Sequence, residues 1–350
     1  MAGVTLVELM VALVLGLIVA GAAMSLFLAT RQTYVASESL GRIQENARVA
    51  FELMARDLRE AASSSCGTDL SAAVNVLNAP ASRWYTDFGG GIRGYDGATP
   101  FADAAFGTAA GQRASGTEAV ELKSAQSDGV TIKKHNPAAA QFEVNTNAHA
   151  LASGDLAVAC DPAHAAIFQV TNASPGVNAT IVHQTGSGTP GNCSQGLGAP
   201  VICSPPTGTS YRFGCAYGGT DASKDCSLDE NRWSAFLAKL KAMRWYVGCN
   251  GRAACSGADG RSLYRSRLTN TAGVLGVQND EIVEGVTGMS LRYLVEGGSA
   301  YIAAAGIGPA DWSNVVAIDM ELRMTGLDRV DGTPIERTLH HVVALRSRAP

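Results

Sequence analysis

The sequence Gly3-Val4-Thr5-Leu6-Val7-Glu8-Leu9-Met10 opens an apolar run that lasts to Ala29. No residue from Leu9 to Ala29 carries a formal charge. A run of about 20 such residues is what an α-helix needs to cross the ~30 Å hydrocarbon core of a bilayer. The sequence therefore predicts a membrane helix. Glu8 interrupts this pattern, because an ionised side chain at the centre of a membrane helix costs on the order of 2.5–3.5 kcal/mol and needs a partner.

Two ordinary explanations account for the apolar run only in part. A secretory signal peptide has a basic start, a shorter apolar core and a small-residue cleavage site after that core. This run is too long for that class and carries an acid. A plain signal anchor explains the apolar run, but it gives no reason for an acid at Glu8.

The stretch GVTLVELMVAL closely resembles the class III signal of type IV pilins and pseudopilins. The resemblance implies cleavage by prepilin peptidase between Gly3 and Val4, methylation of the new Val4 amine, and a role for Glu8 in assembly. An α-amino group is a cation at neutral pH, and a neighbouring subunit's carboxylate can neutralise it in low dielectric. The leader Met1-Ala2-Gly3 lacks the Lys or Arg usual in the family, and Val4 stands where Phe or Met is commoner. The short leader leaves the cleavage position itself intact.

The helix is expected to continue past the membrane as an amphipathic half. Apolar residues recur at helical spacing, and Glu38/Arg42 and Glu52/Arg56 are i,i+4 pairs in the favourable order. We therefore divide the chain into a leader (1–3), a membrane half of the helix (4–30), an amphipathic half (31–65) and a periplasmic β-rich domain (66–350). The apolar stripe of the amphipathic half consists of Ile43, Ala47, Ala50, Met54, Leu58 and Ala61.

Composition favours an extracytoplasmic domain. The net charge of −4 gives no basic footprint for nucleic acid, and 39 glycines point to many turns. Eight cysteines in a membrane-anchored chain favour disulfides, although eight cysteines allow 105 connectivities. Short spacing favours three local pairs and leaves one pair to join the helix end to the sheet. The predicted pairs are Cys193–Cys203, Cys215–Cys226, Cys249–Cys255 and Cys66–Cys160.

Patterning predicts a long ordered loop over 67–116 and then strands separated by turns. A Gly/Ser/Thr/Pro-rich insert with four cysteines covers 185–232. Trp233–Lys241 is predicted as a short helix. The predicted strands are Thr117–Lys123, Val130–Lys134, Asp155–Cys160, Ala165–Thr171, Thr180–Gln184, Met243–Val247, Ser262–Leu268, Met289–Val295, Val315–Met324 and Arg337–Arg346. These patterns predict an α+β fold, and the resemblance to pilins implies a pilin-like layout with the long N-terminal helix packed on an antiparallel sheet that carries disulfide-rich loops.

Later blocks resemble the PilW family of type IV minor pilins: GIRGYDG, GTEAVEL, GDLAVACDPAHAAIFQVTNAS, RSLYRSRL, EIVEGVTGMSLRYLV, VVAIDMELRMTG and HHVVALRSR. This resemblance implies a minor pilin that primes pilus assembly and lies at or near the tip, with roles in twitching motility, adhesion and DNA uptake. The implied partners are other minor pilins, the major pilin, prepilin peptidase, the inner-membrane assembly platform and a large tip adhesin. The implied location is the inner membrane, with a periplasmic domain, before assembly into an extracellular pilus.

No motif in the sequence predicts an enzyme, a cofactor or a metal site. Gly89–Gly94 fits G-x-G-x-x-G but lacks the preceding buried strand and following helix that dinucleotide binding needs. His340 and His341 are adjacent in a predicted strand and so point to opposite faces. Lys133-Lys134 is interpreted as an exposed strand end. Three aspartates with calcium-compatible spacing lack the EF-hand glycine and glutamate, namely Asp221, Asp225 and Asp229.

Two other functions remain open from the residues. The minor pseudopilin J of type II secretion shares the signal and the general design. A membrane-anchored periplasmic enzyme or binding module belongs to a different class and would need a convergent polar site, which the sequence does not reveal.

Overall fold

The computed structural model describes residues 5–63, 70–126, 128–186, 188–214, 234–330 and 332–348. One helix, α1 (Leu6–Glu60), precedes a β-rich region. The strands in chain order are β1 (Val74–Asn75), β2 (Ile92–Tyr95), β3 (Ala119–Gln126), β4 (Ile132–Asn136), β5 (Gln141–Val144), β6 (Leu156–Cys160), β7 (Ala165–Gln169), β8 (Asn172–Ala173), β9 (Thr180–Val182), β10 (Phe236–Cys249), β11 (Arg261–Thr271), β12 (Val274–Glu284), β13 (Val286–Val295), β14 (Ile302–Ala303), β15 (Val315–Val330) and β16 (Thr333–Ala344).

Helix α1 is a single continuous element of 55 residues. It contains no proline, and Thr5 caps its N-terminus through a side-chain hydrogen bond to the N–H of Glu8. The helix ends before Ala62, whose backbone has a left-handed φ of 57°. At ~1.5 Å per residue, a helix of this length is about 80 Å long.

The strands form three sheets. The large sheet follows the order β1-β7-β6-β10-β11-β12, with β3 pairing β10 and β2 pairing β3. The two four-stranded sheets are β14-β13-β15-β16 and β4-β5-β9-β8. Among the described strands the pairing is antiparallel except between β1 and β7. A long N-terminal helix with antiparallel-rich sheets makes this an α+β layout.

The main core lies where α1 meets the sheet β14-β13-β15-β16 and the adjacent face of the large sheet. The predicted apolar stripe of the helix is buried there, and Met54 and Leu58 have no exposed surface. These side chains pack against Trp245 of β10 and the inward-facing residues of β13 and β15, such as Tyr293 and Met320. A second core, formed around Phe142, lies between β6 and β7 and the small sheet that contains β5.

The prediction of a short helix over Trp233–Lys241 is wrong for the part that the structure describes. Phe236–Lys241 forms the start of β10, and Trp233 lies outside the described residues. The sequence FLAKLK favours a helix by propensity. Tertiary pairing overrides that preference, because Lys239 is paired on both edges, with Ala157 of β6 and Gln126 of β3.

The structure also adds elements that patterning missed. The segment predicted as a loop over 67–116 contains β1 and β2. The hairpin of β11 and β12 extends further than predicted, since β12 had no predicted counterpart. Six of the eleven residues of β12 are exposed and only Val283 is buried, so it lacks the alternation by which a half-buried strand is found in a sequence.

Two of the predicted disulfides, Cys193–Cys203 and Cys249–Cys255, are present in the structure. Cys160 is disulfide-bonded as well. The predicted pairs Cys66–Cys160 and Cys215–Cys226 include cysteines that lie outside the described residues.

Candidate functional site: the N-terminal helix and its seat

The N-terminal half of α1 is an apolar surface without an intramolecular partner. Every described residue from Thr5 to Tyr34 is exposed, and Leu17 and Val19 expose 72% and 68% of their surface. An exposed apolar patch of this extent marks contact with a membrane or another protein. The helix is long and apolar enough to cross a bilayer, with a mean hydropathy of 2.6 in its most apolar window. These properties are compatible with a single-pass membrane anchor.

Glu8 and Thr5 form a capping box at the tip of this half. The Thr5 N–H and hydroxyl each donate to Oε2 of Glu8 over 2.9 Å, and the Glu8 N–H donates to the Thr5 hydroxyl over 3.3 Å. This exchange satisfies donors that a helix start otherwise leaves unpaired. Both bonds to the carboxylate fall on Oε2, so within residues 5–63 the second oxygen of Glu8 has no hydrogen bond. Gly3 and Val4, the residues of the predicted cleavage site, lie outside the described residues.

Asp57 anchors the packed half of α1 to the large sheet. Its Oδ2 accepts from the Trp245 indole N–H over 3.1 Å and lies 3.6 Å from Arg265, while Arg56 lies 3.7 Å from Oδ1. Burial raises the pKa of this carboxyl, and the two guanidinium groups offset only part of that effect. Asp57 was not among the residues predicted from the sequence, although its position three residues after Met54 places it on the buried stripe.

Hydrogen bonds to backbone carbonyls hold the C-terminal end of α1. The Ala62 N–H donates to the carbonyl of Lys123 over 2.8 Å, and the Ser347 hydroxyl donates to the carbonyl of Ala61 over 3.2 Å. Gly91 lies against this end with φ +66°, and a Cβ there would come within 2.6 Å of the Ala62 Cβ. The end of the helix is therefore fixed by β3, by the C-terminal segment of the chain and by Gly91.

The run Gly89–Gly94 has a structural role here. A Cβ at Gly94 would lie 2.7 Å from both the Tyr293 and the Trp312 rings. The run lies in a turn and in β2, so a strand–turn–helix that could bind a dinucleotide is not formed by these residues.

The remaining residues singled out by sequence do not come together. His340 lies 3.6 Å from Glu321 on the exposed face of β16, whereas the ring of His341 lies 5.4 Å from that of Phe51 on the helix side. Lys133 and Lys134 are exposed in β4. Asp221, Asp225 and Asp229 lie outside the described residues.

A buried ion network, which was not predicted from the sequence, docks the loop before β3 onto β10. Arg244 contacts Glu121 over 2.9 Å and Asp103 over 2.7 Å, and its guanidinium lies 4.2 Å from the ring centres of both Trp84 and Phe101. Partners this far apart in sequence leave no local signal. The Arg244 side chain is only 4% exposed and is covered by these two rings.

Two histidines lie buried in the second core. The Nε2 atoms of His135 and His183 are 3.3 Å apart, and Nδ1 of His135 accepts from the Phe213 N–H over 3.4 Å. Burial holds the pKa of His135 well below its usual range and lowers that of His183 to about 3. In the described part of the chain no three His, Cys, Asp or Glu side chains are grouped so that they could hold a metal ion.

Comparison with known proteins leaves the family of this chain open. No protein-family model matches the sequence, and a search of curated proteins finds no match.

Proposed function

We propose that this protein is a minor pilin of the type IV pilus, similar to the PilW family, and that it acts by assembly without catalytic turnover. The observation that carries the proposal is the division of α1 into two halves. Residues 6–30 are exposed and apolar, and residues 39–60 bury a stripe against the sheets, within one unbroken helix.

This division suits a subunit that moves from a membrane into a filament. In the membrane the apolar half is covered by lipid, and in a filament it would be covered by the same half of neighbouring helices. Gly16 and Gly21 support such contacts, because a Cβ at either position would meet nothing within 4 Å in the single chain. Glycine in an exposed helix costs roughly 1 kcal/mol relative to alanine. Glycine at these positions lets the backbone of another helix approach closely.

In this proposal Glu8 fixes the register between the helices of neighbouring subunits. Its free oxygen can accept from the new amino terminus of a neighbouring subunit, while Thr5 holds the other oxygen. In a low-dielectric bundle an unpaired carboxylate is costly, so subunits would pack only where the two charges meet.

The first test is the N-terminal mass of the full chain, extracted from membranes after expression with and without prepilin peptidase. We expect a peptidase-dependent species that begins at N-methylated Val4 in the wild type and is lost in Gly3→Ala. Glu8→Gln should still be cleaved but should fail to enter pili, whereas the matched control Gly41→Ala on the exposed face of the helix should do both. An unprocessed terminus in a competent host would exclude the pilin function and leave an ordinary membrane anchor.

A further inference from the structure

A cleft of about 740 Å³ opens in the large sheet beside β10, within the 300–1,000 Å³ range of typical ligand sites. Strands β6 and β11 pair with the same edge of β10, and the cleft lies in the gap between them. Pairing of β10 with β6 ends at Lys239, and pairing with β11 begins at Met243. Between these pairs, no strand of the described chain covers that edge. At ~3.3 Å per residue the gap is about 13 Å long.

The backbone of β10 directs hydrogen-bonding groups into this gap. In β10 the peptide groups of odd-numbered residues point to the edge that pairs with β3. The Leu237 N–H donates to the Val130 carbonyl, and the Val247 carbonyl accepts from the Ala114 N–H. Even-numbered residues therefore point to the opposite edge. The innermost groups of the gap are the carbonyl of Leu240 and the N–H of Ala242, in residues that are only 2% exposed. Buried peptide groups of this kind require a partner.

The gap is built into the fold. The Asn270 side chain donates to the Ser153 carbonyl and to Oδ1 of Asp155, each over 2.8 Å. These bonds tie the end of the β11–β12 hairpin to the loop before β6, so that β11 is held away from β10 beyond Arg267. Asp155 is held in turn by Lys239 over 2.7 Å.

The two walls of the cleft differ in chemistry. On the α1 side the lining contains five basic residues, Arg56, Lys239, Lys241, Arg265 and Arg267, and three acidic ones, Asp57, Glu60 and Asp155. The opposite wall is formed by leucines, Leu156, Leu240, Leu268 and Leu275. Arg56 and Lys241 lie 3.7 Å from their carboxylates, so both can turn to an incoming anion.

We propose that this cleft binds an extended acidic segment of a second polypeptide, which adds a short strand to β10 between β6 and β11. Side chains of a strand alternate between faces. A strand in the gap would thus place every second side chain against the basic wall and the others against the leucines. The expected ligand alternates carboxylates with apolar residues. This inference goes beyond the proposed function and does not depend on it.

The test uses the full chain in detergent micelles and a fluorescent tripeptide, Val-Glu-Val, because three extended residues at ~3.3 Å each match the uncovered positions 240–242 of β10. Fluorescence anisotropy should show saturable binding of this peptide and none of the version with lysine for glutamate. Methylation of alternate backbone nitrogens should weaken binding at least about tenfold, because it removes strand hydrogen bonds. Lys241→Glu and Arg56→Glu should each weaken binding by a similar factor.

The matched control is Arg48→Glu, an exposed cation of the same helix that does not line the cleft, and it should leave binding unchanged. Circular dichroism and thermal unfolding check that each variant is folded. Absence of binding, or equal binding of the lysine peptide, would overturn the proposal. Binding that is insensitive to backbone methylation and is displaced by inorganic phosphate would identify a small-anion site and also overturn it.

Discussion

At the scale of single residues, His135 and His183 are uncharged groups in the core that would carry charge once unfolded. His135 accepts at Nδ1, so we assign its proton to Nε2, where it faces Nε2 of His183. The pair is packed among Phe142, Phe168 and Phe213, and Arg212 is the charged group that acts on it. Proton uptake by either ring would place an unpaired cation in this core.

This pair predicts a loss of stability at mildly acidic pH. Both folded pKa values lie below the unfolded value of about 6.5, so the unfolded chain binds more protons as the pH falls. The free energy of unfolding should drop by about 2 kcal/mol per histidine between pH 7.5 and pH 5. Urea unfolding of the full chain in micelles at several pH values measures this slope.

A variant separates the contribution of the histidine pair to the pH dependence of unfolding from the contribution of the carboxylates. His183→Phe should remove about half of the slope, whereas the control His340→Phe, at an exposed position of β16, should leave it unchanged. An identical pH slope in His183→Phe and the wild type would show that the buried pair does not control the acid response.

At the scale of elements, the junction of α1 with the sheets depends on glycines where the backbone approaches closely. Gly91 combines a left-handed φ with a contact that forbids a Cβ, next to the residue that ends the helix. The apolar stripe of α1 orients the helix, and this junction sets how close its end comes to β3.

Gly91→Ala is therefore expected to destabilise the protein more than left-handed strain alone would. A left-handed non-glycine residue costs of order 1–2 kcal/mol, and the clash with Ala62 adds to that cost. Gly116→Ala is the matched control, because Gly116 has φ +79° but no atom within 4 Å of its Cβ position. Thermal unfolding compares the two, and equal losses would show that the contact with Ala62 is relieved by a small shift.

At the scale of the whole molecule, the chain separates an exposed apolar helix half from a folded body. No residue of the exposed half contributes to the cores, whose helical members begin at Ile43. Changes in residues 6–30 should consequently alter where the protein resides without altering how its sheets fold.

The double variant Leu13→Arg with Leu17→Arg tests this separation. Two arginines near the centre of the apolar segment should cost about 5–7 kcal/mol of membrane insertion. We expect the variant to be extracted by alkaline carbonate, whereas Leu13→Ile with Leu17→Ile stays in the membrane. The midpoint of β-sheet unfolding should be the same in both. A shifted midpoint would mean that the apolar half also supports the body.

Local patterns in the sequence are enough to predict the helix, its apolar and amphipathic halves, most strands of the last third, and the disulfides Cys193–Cys203 and Cys249–Cys255. These features depend on local patterns, namely a charge-free run, a 3.6-residue stripe, alternation along strands and short cysteine spacings. Glu8 also stood out, because one acid in an apolar run is visible without a structure.

The remaining features depend on contacts between distant parts of the chain. Phe236–Lys241 became a strand because β6 pairs with Phe236–Lys239 and β3 pairs with β10 from Lys239 onward, and Asp57 became an anchor because Trp245 and Arg265 reach it from distant strands. The cleft beside β10 exists because Asn270 holds β11 away from Lys241. Each of these features arises between residues far apart in the chain, and local patterning carries no information about such pairs until the chain has folded.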